Sequence, residues 1–217
     1  MTYSKDKEQG WAVHQHLLDV NVETPFKQKK IDKVNLEFLF SKVMEEVGLD
    51  LTDDSLMETP RRLAKLYSDE YFAGLNYDNW PKATVVDNKF LYDEMLLERN
   101  VAVNSLCEHH FLPVVGKAFV AYIPDRKVLG LSKINRIVDF FCRRPQIQER
   151  LTAQIYHALS FILETQNVAV IIEAEHACVR TRGVMDACSD TITSQLGGAF
   201  KDPAVRAEFI ALSKGLG

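Results

Sequence analysis

Long apolar runs, a basic charge balance and a disulfide-sized cysteine complement are all missing from this 217-residue chain. No apolar stretch reaches bilayer-spanning length, and the opening MTYSKDKEQGW lacks the apolar centre of a signal peptide. We therefore expect no membrane partner and a cytoplasmic location. The four cysteines, Cys107, Cys142, Cys178 and Cys188, are too few to staple a chain of this size. In a reducing compartment, metal binding or chemistry explains them better. With 30 acidic against 26 basic residues, the net charge of -4 speaks against general nucleic-acid binding, which calls for a basic surface. An anionic small molecule stays open, provided basic residues are concentrated locally.

What is present fits a globular protein. Hydrophobic content of 47% and charged content of 26% supply a real core, and the length fits one domain with appendages. Residues 1–33 are polar and mixed, predicting a helix and then an extended linker from Val20 to Lys30. Leu36, Leu39, Phe40, Val43 and Val47 fall at three- and four-residue steps, the mark of an amphipathic helix over about 34–49. Thr59-Pro60 predicts a second helix start, with a capping hydroxyl and a proline in the first turn.

From 82 to 123 the texture turns to strands, at Ala83–Val86, Asn100–Val103 and Lys117–Ile123. Two amphipathic helices follow. One carries Ile134, Ile137, Val138 and Phe141 on a single face, and the other Ile147, Leu151, Ile155, Leu159 and Ile162. Val168–Ala174 and Thr191–Gln195 read as strands, and a helix near 202–213 closes the chain. The order of helices, strands, a helical hairpin and more strands predicts α+β with a mainly antiparallel sheet.

Two short segments concentrate metal-binding side chains: Cys107-Glu108-His109-His110 and His176-Ala177-Cys178. A catalytic zinc usually takes three protein ligands and keeps one position for water. Two cysteines and one histidine complete such a set and leave two histidines over to move protons. If the strand persists past Ala174, His176 and Cys178 face the same side. A structural zinc, or simply buried residues, is the plainer alternative. However, the paired Cys-x-x-Cys knuckles of a closed cage are missing, as is the His-x-Glu with Pro-Cys-x-x-Cys signature of nucleobase deaminases.

Basic residues do cluster. Ser132-Lys133-Ile134-Asn135-Arg136 joins a helix start to two cations, Arg180 and Arg182 follow Cys178, and Arg61, Arg62 and Lys65 make a third group. A plain capped helix with solvated charges is the simpler reading of the first set. Gln148-Glu149-Arg150 opens the second hairpin helix, where a glutamate is usually a surface residue favoured by the helix dipole. A carboxylate there can also accept from the N1–H and 2-amino edge of guanine, which rejects bases lacking those donors.

Taken together, Cys107–Phe111, Gly130–Arg136, Arg144–Thr152, His176–Cys178 and Arg182-Gly183 resemble GTP cyclohydrolase I. The likeness runs from about Leu51 to Phe200, with several separate motifs in the same order. The resemblance implies the tunnelling fold, a four-stranded antiparallel sheet with a helical hairpin between strand pairs. It also implies N-terminal helices, a toroidal decamer and active sites between subunits. On that pattern residues 1–50 form an N-terminal helical extension and 51–217 the catalytic domain.

Zinc is then held by Cys107, His110 and Cys178, while His109 protonates N7 of GTP and His176 makes further proton transfers. Glu149 reads guanine with Gln148 beside it, and Ser132, Lys133, Arg136, Arg182, Arg62 and Lys65 hold the triphosphate, Arg62 and Lys65 for a neighbouring chain's site. The reaction implied is hydrolysis and rearrangement of GTP to 7,8-dihydroneopterin triphosphate and formate, the first step of pterin and tetrahydrofolate synthesis. A pterin or 7-deazaguanine enzyme on the same fold is the nearest rival, but it needs no zinc triad. A zinc-stabilised binding module without turnover has no use for two spare histidines.

Overall fold

The computed structural model describes residues 2–215; residues 1 and 216–217, the outer ends of the two expected segments, lie outside the described residues. Helices α1 (Thr2–Asp19), α2 (Lys33–Glu46) and α3 (Thr59–Lys65) come first, and α3 runs on into a wider π-helical turn over Leu66–Tyr71. Strands β1 (Val85–Asp87), β2 (Leu96–Cys107), β3 (Pro113–Tyr122) and β4 (Lys127–Leu129) follow. Next come α4 (Leu131–Cys142), the two-residue β5 (Pro145–Gln146) and α5 (Gln148–Leu163). The chain closes with β6 (Val168–His176), the single turn α6 (Ala177–Arg180), β7 (Thr191–Leu196) and α7 (Pro203–Ser213).

The architecture is α+β. The main sheet has the order β5-β2-β3-β6-β7 and is antiparallel except for the short β5 rung, while β1 and β4 form a separate ribbon. The hairpin α4–α5, joining β3 to β6, covers one face. Its two apolar stripes are buried as their periodicity predicts: Ile134, Ile137, Val138 and Phe141 on α4, and Leu151, Ile155, Leu159 and Ile162 on α5. Alternate residues of β6 point the opposite way, and there Ala169 joins Phe119, Phe200 and Phe209 in a smaller cluster beneath α7.

Two local expectations come out differently. The helix at Thr59 has Glu58 at its cap position with no side-chain cap bond. The preceding Asp53–Leu56 turn already supplies backbone acceptors, so the Thr59 N–H bonds to Leu56 O at 2.9 Å and a capping hydroxyl is not used. Helix α2 forms as expected, but its stripe is largely uncovered: Leu39, Val43 and Val47 are 49%, 61% and 70% exposed, and only Met44 is buried. The period of a helix reports that one face is apolar, not that its own chain covers it.

The N-terminal segment is tied into the same core. Val13 and Leu17 of α1 are fully buried there. The linker after α1 is fastened by Arg144, which has no exposed surface. Arg144 Nη1 donates to Glu23 Oε1 at 2.9 Å, Nη2 donates to Gly74 O, and the guanidinium lies 4.9 Å from the ring centres of Phe140 and Phe141. Gln154 Nε2 adds bonds to Glu23 Oε1 (3.1 Å) and Val22 O (3.0 Å), and His14 Nδ1 sits 2.9 Å from Glu23 Oε2. Gly74 is needed because a Cβ would fall 2.1 Å from Phe140 O.

Candidate active site and metal centre

Cys107 is the last residue of β2 and is 6% exposed. The chain then folds back on itself before β3: Phe111 N–H donates to Cys107 O, and Cys107 N–H to Leu112 O, both at 2.8 Å. The turn places Phe111 at φ 51°, in the left-handed region that a bulky residue enters only under constraint. This reversal brings both histidines back over the cysteine, with His109 Nδ1 at 3.7 Å and His110 Nδ1 at 4.0 Å from its sulfur.

Strand β6 does not persist through Cys178, as a shared side for His176 and Cys178 would require. It stops at His176, and Cys178 lies in the helical turn α6. The alternation rule that would put both side chains on one side ends with the strand, and the two residues part company. Cys178 turns to Cys107 and His110. Among the described residues these three form a group whose donor atoms all lie within 4.8 Å of one another. His176 turns instead to α5, where its Nε2 lies 2.7 Å from Gln148 Oε1.

The donor set suits a metal ion. Tetrahedral zinc with sulfur at ~2.3 Å and nitrogen at ~2.0 Å would set its ligands roughly 3.5–3.8 Å apart, which donors already within 4.8 Å of one another reach by a small inward shift. Burial, and after it a hydrogen bond with the neighbouring Cys107 sulfur and the repulsion of its charge, push the Cys178 thiol above its ordinary range. A divalent cation held between the two sulfurs would offset that penalty. His109, by contrast, has a side chain 64% exposed and lies outside the three-residue group, although it is the nearer of the two rings to Cys107.

Around this centre the structure gathers some of the expected residues and separates others. Arg182 Nη1 lies 2.6 Å from His110 Nε2. Arg180 is engaged elsewhere, with Glu175 at 2.7 Å. Glu149 is exposed in the first turn of α5, and its charge opposes the burial that otherwise lowers the His176 imidazole's proton affinity. Burial is the larger influence, so the His176 ring sits below its ordinary range.

Ser132, Lys133 and Arg136 begin α4, whereas the rung of β5 with Leu106 and Cys107 follows α4's other end. Among the described residues this trio forms no side-chain hydrogen bond or ion pair with the cluster. Arg62 and Lys65 are exposed on α3 and form no hydrogen bond or ion pair with the cluster among the described residues.

Comparison with known proteins decides the family. The GTP cyclohydrolase I family model matches residues 36–214. The chain belongs to the GTP cyclohydrolase I family. It is 56% identical over 183 residues to the GTP cyclohydrolase 1 of Shewanella denitrificans, 84% of each chain. Over 208 residues it is 52% identical to that of Shewanella sp. strain MR-7, covering 94% of each, and over 212 residues 53% identical to that of Yersinia pestis, covering 95% of each.

Two supporting contacts in this family member had no sequence signal, since both join residues far apart in the chain. One is Gln148 with His176. The other is Arg150, whose Nη1 and Nη2 donate to the Glu108 carboxylate at 2.6 and 3.4 Å. That hydrogen bond holds the Glu108 carboxyl below its ordinary range. The pairing therefore stabilises the turn from the ordinary carboxylate range upward and is lost as pH falls through the lowered value. Because Glu108 sits between Cys107 of the three-residue group and His109, Arg150→Ala is expected to loosen the turn that presents the candidate donors. Affinity for an added divalent metal ion should drop by about 10-fold, at the weaker end of what outer-sphere partners contribute, measured by competition with a chromophoric chelator.

Proposed function

We propose that the chain opens the imidazole ring of GTP by hydrolysis, and that Cys107, His110 and Cys178 are the residues that would hold a zinc ion for it. Membership of the family makes the chain a GTP cyclohydrolase I, acting at the first step of folate and pterin synthesis. The observation that carries the zinc reading is the convergence of two thiols and one imidazole within 4.8 Å, with His109 Nδ1 3.7 Å from Cys107 Sγ and His176 two residues before Cys178. Zinc, when bound, lowers the pKa of water toward neutrality and so supplies hydroxide for attack at C8.

The side chains then have distinct tasks. His109, exposed at the turn, protonates N7 and makes C8 electrophilic. His176, whose proton affinity burial lowers, takes part in the later proton transfers of ring opening, formate release and the Amadori-type rearrangement of the ribose. Closure gives 7,8-dihydroneopterin triphosphate. Glu149 accepts from the guanine N1–H and 2-amino group, and it forms no ion pair among the described residues that would compete.

Arg182, beside the metal cluster, is a phosphate ligand within the chain. Ser132, Lys133 and Arg136, which form no side-chain bond to the cluster among the described residues, serve the site of a neighbouring copy, as do Arg62 and Lys65. This reading goes with the tunnelling fold, a catalytic domain over 51–217 with residues 1–50 as its extension, and a toroidal decamer. It is supported by the uncovered stripe of α2 and by exposed apolar residues near the site, such as Val115 and Ile192 at 51% and 63%. Among the described residues no helix is long and apolar enough to cross a membrane, and we place the enzyme in the cytoplasm.

The experiment is direct. Zinc-loaded protein given GTP should release one formate per GTP consumed while the ultraviolet spectrum changes to that of a dihydropterin. No formate from protein of confirmed metal content would sink the reading. Arg136→Ala should weaken binding of GTP much more than of guanosine; equal losses would remove Arg136 from the phosphate set.

A further inference from the structure

We propose that Gln148 is a positioning residue that fixes which ring nitrogen of His176 is open for proton transfer. This rests on the reading of His176 as a proton carrier. Gln148, named above as a lesser contact to guanine, is 3% exposed, and its amide is already committed. Its Nε2 faces three acceptors: Thr191 O at 2.8 Å, Ile172 O at 3.1 Å and Thr193 Oγ1 at 3.2 Å. Carbonyl oxygens only accept, so the amide nitrogen has to lie on that side. Turning the amide over would set Oε1 against two carbonyls in a buried place.

The hydroxyls agree with that orientation. Thr152 Oγ1 donates its single proton to Gln148 O at 2.9 Å. In the 2.7 Å contact between Thr152 and Thr193 the donor is therefore Thr193, whose own oxygen is left to accept from Gln148. The two hydroxyl protons each have one destination, and the two amide hydrogens are shared among the three acceptors.

The consequence falls on His176. With the amide fixed, Oε1 lies 2.7 Å from His176 Nε2 and can only accept. Nε2 must carry the hydrogen, and in the neutral ring Nδ1 keeps its lone pair. Among the described residues Nδ1 has no hydrogen-bond partner. The side chain is thus delivered to the reaction as one tautomer, through a clamp that ties the start of α5 to the β6–β7 rung. A third group that orients a catalytic imidazole through its far nitrogen is a recurring requirement of acid–base sites.

A double-mutant cycle tests the proposal. Gln148→Met keeps the length and volume but cannot accept from His176. It is expected to lower kcat about 10–100-fold, with KM for GTP within about twofold and zinc content unchanged. His176→Ala is expected to lower kcat by about 10²–10⁴-fold. In the His176→Ala background, adding Gln148→Met should cost nothing further, because its effect acts through the ring that is gone. Thr193→Val, a gentler loosening of the same clamp, should lower kcat about 2–5-fold and again only while His176 is present.

Equal fractional losses in both backgrounds, for either variant, would show a merely structural role and overturn the proposal. A raised KM with unchanged kcat would overturn it too, and return Gln148 to guanine reading. A His176→Ala enzyme of nearly full activity would instead overturn the proton-carrier reading and take this proposal with it.

Discussion

Replacing His110 by alanine is expected to remove the metal and, with it, all measurable turnover, whereas His109→Ala should keep one zinc per chain. The two rings are adjacent in sequence, and on distance to Cys107 alone His109 is the closer, at 3.7 against 4.0 Å. What separates them is Cys178, since His110 and not His109 falls within reach of both sulfurs. A zinc ion deprived of one of three protein ligands loses most of its affinity, and without it no hydroxide is generated near neutral pH. Loss of a proton donor is a different injury. His109→Ala should leave the metal in place and reduce kcat by about 10²–10⁴-fold, the range for general acid–base catalysis. Metal analysis beside a formate assay reads both variants. Zinc lost from His109→Ala and retained in His110→Ala would reverse the assignment.

The largest effect on stability should come from Glu23, far from any chemistry. Its carboxylate is 4% exposed and pairs with Arg144, which is fully buried. Removing one member of such a pair leaves an uncompensated charge inside the protein, at a cost of about 3–5 kcal/mol. Rings at Phe140, Phe141 and Tyr77 surround the guanidinium but cannot replace the carboxylate. For a domain of this size, where 1 kcal/mol shifts Tm by roughly 2–4 °C, Glu23→Ala should lower the unfolding midpoint by about 10 °C. Glu23→Gln, which keeps an oxygen acceptor, should fall between. A shift of under about 2 °C for the alanine variant, followed by calorimetry, would show that Arg144 finds another partner.

Periodicity and motif foretell much of this fold and site, and the reasons are specific. The stripes of α4 and α5 repeat at helical spacing, so both helices and their buried faces are legible in the sequence. The donor residues of the metal cluster are legible because zinc demands particular side chains in small numbers. Three things are not. The end of β6 at His176 has no proline or glycine to announce it, and that ending is what sends Cys178 to the metal cluster and His176 to Gln148. The partner of α2's apolar face is not encoded in its own period.

The third group comprises contacts that join distant parts of the chain. Gln148 meets Thr193 across 45 positions, and Arg144 meets Glu23 across 121. Local pattern says nothing about such pairs. They depend on which strands neighbour which helices, and that is settled only by the fold.

The central claim is a metal centre with two thiolates, one imidazole and one open position. X-ray absorption at the zinc edge of the loaded, full-length protein addresses it without reference to turnover. The expected coordination sphere holds two sulfurs at about 2.3 Å and two lighter atoms at about 2.0–2.1 Å, one of them exchangeable with solvent. A sphere with no sulfur, or with a single one, would contradict it.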